Sequence, residues 1–244
     1  MSVIRKIFKP KAVQIPRCAV VIVAAGSSMR MGMDKILAKV GGKPVIARTV
    51  SAFDASPLIC EIVVVTRQES VVEVADICKE YGFRKVTKVI CGGATRAQSA
   101  LAGVCEVGDK IKLIAVHDGA RPFVSEELIT RTLAAAAEHI AAAPALKATD
   151  TIKLADEEGV VAETIDRDRA LLMQTPQVFD ASIIKGALTR AVELNLKVTD
   201  DCSAVEAMGV KVYTVAGDED NIKLTRPRDI LVAEQIIAER GELN

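Results

Sequence analysis

The segment CAVVIVAAGSSMRMGMDK, Cys18 to Lys35, decides the fold class. Its opening run, Cys18 to Ala25, is short, continuous and β-branched, and Gly26 breaks it. Such a run reads as a strand buried on both faces, as in a parallel sheet, and the polar residues after it form a loop leaving the sheet edge. Gly26 permits positive φ and close backbone approach, while the amides and hydroxyls of Ser27 and Ser28 suit a concave anion nest. Arg30, a planar fork, and Lys35, a mobile point charge, bring two cations to the same loop, where together they neutralise a polyphosphate. Taken alone, the loop is equally an ordinary Gly-turn with solvated cations.

Working outward, strand-like runs recur at Val20 to Val23, Ile62 to Val65, Val86 to Ile90 and Ile111 to Val116, with helical patterns between them. That alternation implies βαβ units and parallel pairing. Thr66 to Glu69 has the form of a capping box opening a helix that Gly82 stops. Ser125 with Glu126 and Glu127 opens an alanine-rich helix through Ile140, whose end Pro144 marks. From about 148 to 166 two short alternating segments flank Glu157, Glu158 and Gly159, a pattern expected to form a projecting hairpin arm. Further helices are expected near Ala181 to Leu194, Cys202 to Met208 and Pro227 to Glu239, with a strand at Val210 to Val215.

Composition narrows the partners. The 244 residues are 50% apolar and 26% charged, enough for a core, with 32 basic against 32 acidic side chains. A balanced chain has no whole-molecule field for nucleic acid or an anionic membrane, so any anion site is local. No run approaches the 18 or so apolar residues of a membrane span, and the basic start, MSVIRKIFKPKAVQIPR, reads as a loose tail over residues 1–17. Six cysteines at irregular spacings, without a CxxC pair, read as reduced cytoplasmic thiols.

In open α/β sheets ligands bind beyond the carboxyl ends of strands. Four clusters sit there. CGGATRAQS follows Ile90, with Gly92 and Gly93 freeing the backbone and Thr95, Arg96 and Ser99 offering donors near a helix start. HDGARPF follows Val116; Asp118 suits a magnesium ion or a sugar hydroxyl, and Arg121 a phosphate. His117 reads as packed and hydrogen-bonded, because transfer to an existing phosphate requires no general base. DRDRALLMQTPQVF carries Arg167, Arg169 and Thr175 around a turn stiffened by Pro176, and NIKLTRP carries Lys223, for which an ion pair with an aspartate is the plain alternative.

In this order the runs AAGSSMRMGMDK, GGATRAQS, VHDGARP, DRDRALLMQTPQ, TDDCSA and NIKLTRP closely resemble the 2-C-methyl-D-erythritol 4-phosphate cytidylyltransferases of the nonmevalonate isoprenoid pathway. The resemblance implies an α/β fold with a Rossmann-like, mostly parallel nucleotidyltransferase sheet over residues 18–244. It also implies an inserted β-hairpin arm at about 148–166 and a homodimer through that arm. The implied reaction joins CTP and a small polyol phosphate, methylerythritol phosphate, with magnesium as cofactor and pyrophosphate as second product. Arg30 and Lys35 would then stabilise the pentacoordinate transition state. Arg167 and Lys223 would hold the acceptor phosphate, Lys223 also touching the transferring group, with Thr151, Thr175 and Arg121 as further substrate contacts. Ala24, Ala25, Gly26, Ser27, Gly93 and Ser99 would bind the nucleotide, and Asp118 would face the ribose or the magnesium ion. Three departures stand out: Ser28 where the family often has glycine, a shorter stretch between Arg30 and Lys35, and Asp34 in place of a frequent proline. Only about 20 residues follow NIKLTRP, which leads us to expect a single activity without a fused cyclase.

Other readings are distinguishable. A ribitol 5-phosphate cytidylyltransferase looks similar in the first loop, the TPQ segment and the NIK segment. A dinucleotide-dependent oxidoreductase lacks its GxGxxG after the first strand. A silent nucleotide binder would have no need of every expected cation.

Overall fold

A computed structural model describes residues 15–26 and 34–241. The first strand, β1 (Cys18–Val23), is buried because its alternate residues enter two different cores. Cys18, Val20 and Ile22 face one layer of helices, and Ala19 and Val21 face the other. That double burial is what a β-branched run without polar alternation requires.

After a two-stranded ribbon, β2 (Lys39–Val40) and β3 (Lys43–Pro44), helix α1 (Val45–Ala55) leads into β4 (Ile59–Thr66). Helix α2 (Val71–Glu80) then crosses to β5 (Val86–Cys91), and α3 (Arg96–Glu106) crosses back to β6 (Leu113–Asp118). Strands β1, β4, β5 and β6 pair in parallel, in the order β6, β1, β4, β5. Helix α4 (Glu126–His139) is followed by β7 (Ala141–Lys147). The hairpin of β8 (Ile152–Ala155) and β9 (Val161–Ile165) pairs antiparallel. Next come β10 (Leu171–Met173), β11 (Gln177–Asp180), α5 (Ala181–Glu193), α6 (Asp201–Glu206), β12 (Tyr213–Ala216) and α7 (Arg228–Glu239). Helices α1, α2, α4 and α7 cover one face of the sheet, and α3, α5 and α6 the other. The result is a mostly parallel, three-layer α/β fold with a β-hairpin, as expected.

The second half of the sheet departs from parallel pairing. Strand β11 inserts antiparallel between β6 and β7, and β12 lies parallel to β7. The alanines at 141–143, expected near a helix terminus, form the first half of β7, and Pro144 lies inside that strand rather than at a helix end. The helix stops at His139, with Ile140 at φ 75°. Alanine has no β preference, but β7 is covered on both edges, by β11 and β12, and small side chains let the layers approach. The expected capping box at Thr66–Glu69 is also corrected. Thr66 is the buried last residue of β4, a short 3-10 turn at Gln68–Ser70 intervenes, and no side chain caps α2. At the other end of α2 the reading holds: Gly82 has φ 67°, and Gly82 and Phe83 donate to the carbonyls of Lys79 and Cys78 at 3.1 Å each.

Candidate active site

The carboxyl ends of β1, β5 and β6 open into one cavity of about 350 Å³. Ala24, Ala25 and Gly26 line it from β1, Gly93 to Arg96 with Ser99 from β5 and α3, and Asp118 from β6. Lys35 and Lys223 reach it from the loops before β2 and α7. Arg30, Ser27 and Ser28 lie outside the described residues.

Gly26 permits positive φ but does not adopt it, and among the described residues no neighbour lies where a Cβ would strike it. The space beside it belongs to the cavity, so a side chain there would occupy ligand volume. At Gly92 the demand is steric: a Cβ would come within 2.6 Å of Ser99 Oγ and 2.7 Å of the Ala25 Cβ. Thr95 caps α3, its Oγ1 accepting from Gln98 N at 3.1 Å, and Gln98 Oε1 accepts from Thr95 N at 3.1 Å. Ser99, buried, accepts from Gly93 N at 3.1 Å and donates to the Thr95 carbonyl at 3.0 Å. These bonds fix the loop with its backbone turned to the cavity.

Asp118 is the electrostatic centre. Its Oδ2 lies 2.8 Å from Lys223 Nζ and 3.4 Å from Arg121 Nε, and its Oδ1 lies 3.6 Å from Arg96 Nη2. Burial alone would raise its pKa; the Lys223, Arg96 and Arg121 cations outweigh burial and hold the carboxyl well below the usual range. Arg121 donates to the Asn221 carbonyl at 2.6 Å and does not line the cavity, so the expected phosphate contact is turned toward internal partners.

Thr175 is likewise internal. Its Oγ1 accepts from Asp118 N at 3.1 Å and is 3.0 Å from His117 Nδ1, and the peptide bond to Pro176 is cis. His117 is fully buried, its Nε2 3.1 Å from the Arg121 carbonyl and its ring edge-on to Phe53. Burial pushes its pKa down to about 4. The imidazole is therefore a neutral structural group, as the sequence reading held.

Arg96 carries more than its sequence position suggested. Its Nη2 is 2.7 Å from Oδ2 of Asp201, a fully buried residue of α6. Burial disfavours the guanidinium, but Asp201 more than offsets it and holds the Arg96 pKa above its ordinary value, while burial of the Asp201 carboxyl outweighs the pull of Arg96 and holds its own pKa above the usual carboxylate range. Asp201 is held by Gln177, whose Oε1 accepts Asp201 N and Cys202 N at 3.0 Å each. Asn221, also missed, donates from Nδ2 to the Thr175 carbonyl at 2.8 Å. Both residues sit in runs that carried the family resemblance, TDDCSA and NIKLTRP, but nothing local in those runs names a partner scores of residues away.

Thr151 and Arg167 are exposed at the base of the hairpin and do not line the cavity. Magnesium on Asp118 fits the structure poorly. Three cations already surround that carboxylate, and among the described residues no cluster of three or more His, Cys, Asp or Glu side chains could hold a metal. The Asp118 carboxylate is engaged by this chain's own cations.

A family model described as 2-C-methyl-D-erythritol 4-phosphate cytidylyltransferase matches residues 18–239. The chain belongs to that cytidylyltransferase family. The similarity extends to individual members. The 2-C-methyl-D-erythritol 4-phosphate cytidylyltransferase of Caldanaerobacter subterraneus subsp. tengcongensis is 41% identical over 88% of this chain and 96% of its own length. That of Dehalococcoides mccartyi strain CBDB1 is 40% identical over 91% and 96%. Among solved structures, the 4-diphosphocytidyl-2C-methyl-D-erythritol synthase of Anaerococcus prevotii superposes with a TM-score of 0.82 at 33% identity, covering 91% of this chain and 96% of that one. The Thermus thermophilus enzyme gives 0.74 at 30%, covering 90% and 98%. Within the family's span, the cavity, its glycine loops and its cations coincide with the runs that suggested the family from sequence.

Proposed function

We propose that the chain transfers the cytidylyl group of CTP to 2-C-methyl-D-erythritol 4-phosphate, giving 4-diphosphocytidyl-2-C-methyl-D-erythritol and pyrophosphate for isoprenoid synthesis. Family membership and a cavity in which Lys35, Lys223 and Arg96 converge at the sheet's carboxyl edge support this reading. An oxygen of the acceptor phosphate attacks the α-phosphorus of CTP in line. The new P–O bond forms as the bond to the β-phosphate oxygen breaks, and pyrophosphate departs with that electron pair. The attacking group is already an anion, so no side chain has to remove a proton, in keeping with a buried, neutral His117.

The protein's task is charge stabilisation and alignment. Lys35 and Arg30 serve the triphosphate and the pentacoordinate phosphorus. Lys223 exchanges its contact with Asp118 for the acceptor phosphate, while Asp118 faces a sugar hydroxyl. The backbone from Ala24 to Ser27, with Gly93 and Ser99, reads the pyrimidine edge. Thr175 and Arg121 act by fixing Asp118. Magnesium would be held by the triphosphate oxygens rather than by the Asp118 carboxylate, which Lys223 already engages, and would supply counter-charge at the transferring phosphate. Thr151 and Arg167 add acceptor contacts from the base of the hairpin, the arm through which the chain forms a homodimer. Six unpaired thiols suit a reducing compartment such as the cytoplasm, and among the described residues no helix is long and apolar enough to cross a membrane.

The test is pyrophosphate release from CTP and magnesium with methylerythritol 4-phosphate or ribitol 5-phosphate as acceptor, with ATP, GTP and UTP as controls. Release with CTP and the first acceptor is expected; preference for ribitol 5-phosphate, or no release, overturns the reading.

A further inference from the structure

Lys35 reaches the cavity from a turn that Asp34 builds. The Asp34 carbonyl accepts Leu37 N at 3.2 Å and Ala38 N at 2.9 Å, and its Oδ1 accepts Ile36 N at 3.1 Å. The far side of the turn is tied to the start of α1, where Val45 N and Ile46 N donate to the carbonyls of Ala38 and Ile36 at 2.9 and 3.0 Å. The near side is tied elsewhere: Asp34 Oδ2 forms an ion pair with Nη2 of Arg67, the residue that follows β4. Arg67 is itself held, its Nε 3.2 Å from Glu69 and its Nη2 3.4 Å from Ser70 Oγ. Only 25% and 21% of the Arg67 and Asp34 side chains are exposed, so water and salt screen the pair less than they would a pair on the open surface.

A lysine ammonium is a point charge on a flexible four-carbon stem, so its placement depends on how firmly its backbone is held. We infer that Asp34 and Arg67 form a positioning pair for Lys35 in cytidylyl transfer, latching its turn to the carboxyl edge of β4. The inference rests on the proposed reaction for its kinetic part, and on geometry alone for the placement of Lys35. Neither residue lines the cavity; both act through Lys35. A displacement of about 1 Å at such a charge costs up to about 10² in rate.

The experiment compares Arg67→Met, Asp34→Asn, their double variant and Arg67→Lys. It measures kcat, KM for both substrates, melting temperature, and the acylation rate of Lys35 in the free protein by mass spectrometry, with Lys185 on α5 as internal control. Asp34→Asn keeps the side-chain acceptor for Ile36 and removes the charge, which separates the ion pair from the turn itself. Each single variant is expected to lower kcat about tenfold, with little change in the acceptor's KM or in melting temperature. The double variant should be no worse than the poorer single one, and Arg67→Lys should recover part of the loss. Adding Arg67→Met to Lys35→Met should cost nothing further, and the acylation rate of Lys35, not of Lys185, should change in the single variants. Unchanged kcat with unchanged Lys35 acylation overturns the inference, as do additive losses or a fall in kcat that tracks a fall in melting temperature. Absence of cytidylyl transfer by the unaltered protein would instead reject the reaction, and the acylation rates would still decide whether the pair sets Lys35.

Discussion

The Nζ of Lys223 stands 2.8 Å from Oδ2 of Asp118, joining the loop before α7 to the end of β6. Asp118 thus holds Lys223 inside the cavity before any phosphate arrives. Arg96 and Arg121 share the same carboxylate, so its loss is felt by three cations together.

Asp118→Asn should therefore cost on the order of 3 kcal/mol near neutral pH, because it leaves covered cations without their counter-charge. The sign with pH follows from a carboxyl held below its ordinary value of 3.8. Its stabilisation is complete above that value and drains away as the pH falls below it. Denaturant titrations of the two proteins should give a constant difference from neutral pH to about pH 5 and a narrowing one below about pH 4.

His117 adds to the acid-side loss over a higher pH window. Burial lowers its pKa from 6.5 to about 4, so the unfolded chain binds a proton there that the folded chain refuses. Stability should fall as the pH drops from 6.5 toward 4, by up to about 3 kcal/mol from this group. His117→Gln should flatten that part of the curve, and the kcat/KM profile of the unaltered protein should show no limb belonging to a catalytic imidazole.

Arg30→Ala should leave the melting temperature and most CTP affinity intact while turnover drops by about 10² or more, as expected of a cation acting on the transition state. Calorimetry with CTP beside single-turnover kinetics separates the two; unchanged turnover would reject the role.

Two glycines on the same side of the sheet should behave differently. A Cβ at Gly103 would meet Val21 Cγ1 at 2.3 Å and Val65 Cγ2 at 2.6 Å, so Gly103→Ala should cost about 1 to 3 kcal/mol of stability with little effect on KM. Gly92→Ala should press on Ser99 and Ala25 and lower kcat/KM for CTP by roughly 10 to 100-fold.

On the hairpin, Leu154, Val160 and Val161 are 49%, 61% and 56% exposed. If they are covered by a second copy, Leu154→Asp with Val161→Asp should yield a monomer by sedimentation. Its turnover should fall with it, since Thr151 and Arg167 lie at the base of that arm. A monomeric unaltered protein, or full activity in a monomeric variant, would refute the arm interface.

Much of the first half was legible because β1, β4 and β6 are largely buried on both faces and its turns carry glycine, so each of these runs declares itself over six to eight residues. The chemistry-bearing residues Lys35, Gly93, Ser99, Asp118 and Lys223 were legible for a related reason: they directly follow those strands or lie in runs similar to the family's. The second half was harder. Strand β7 is written in alanine and contains a proline, and only its neighbours β11 and β12 make it a strand. The Arg96 to Asp201 contact spans 105 residues and depends on α6 packing behind α3 and α5, which no local pattern encodes. At Gly26 the freedom that glycine offers in φ is not used, and the residue lines the cavity instead.

The cavity is also bounded in time. Arg121 is bonded to the carbonyl of Asn221, 100 residues further along, and Lys223 lies two residues beyond. During synthesis, at about 5 to 20 residues per second, the parallel half of the sheet emerges and can pair several seconds before the loop bearing Lys223 exists. A nascent chain at that stage has the glycine loops but not the lysine on the facing wall, so the cavity is complete only once the loop before α7 has been made.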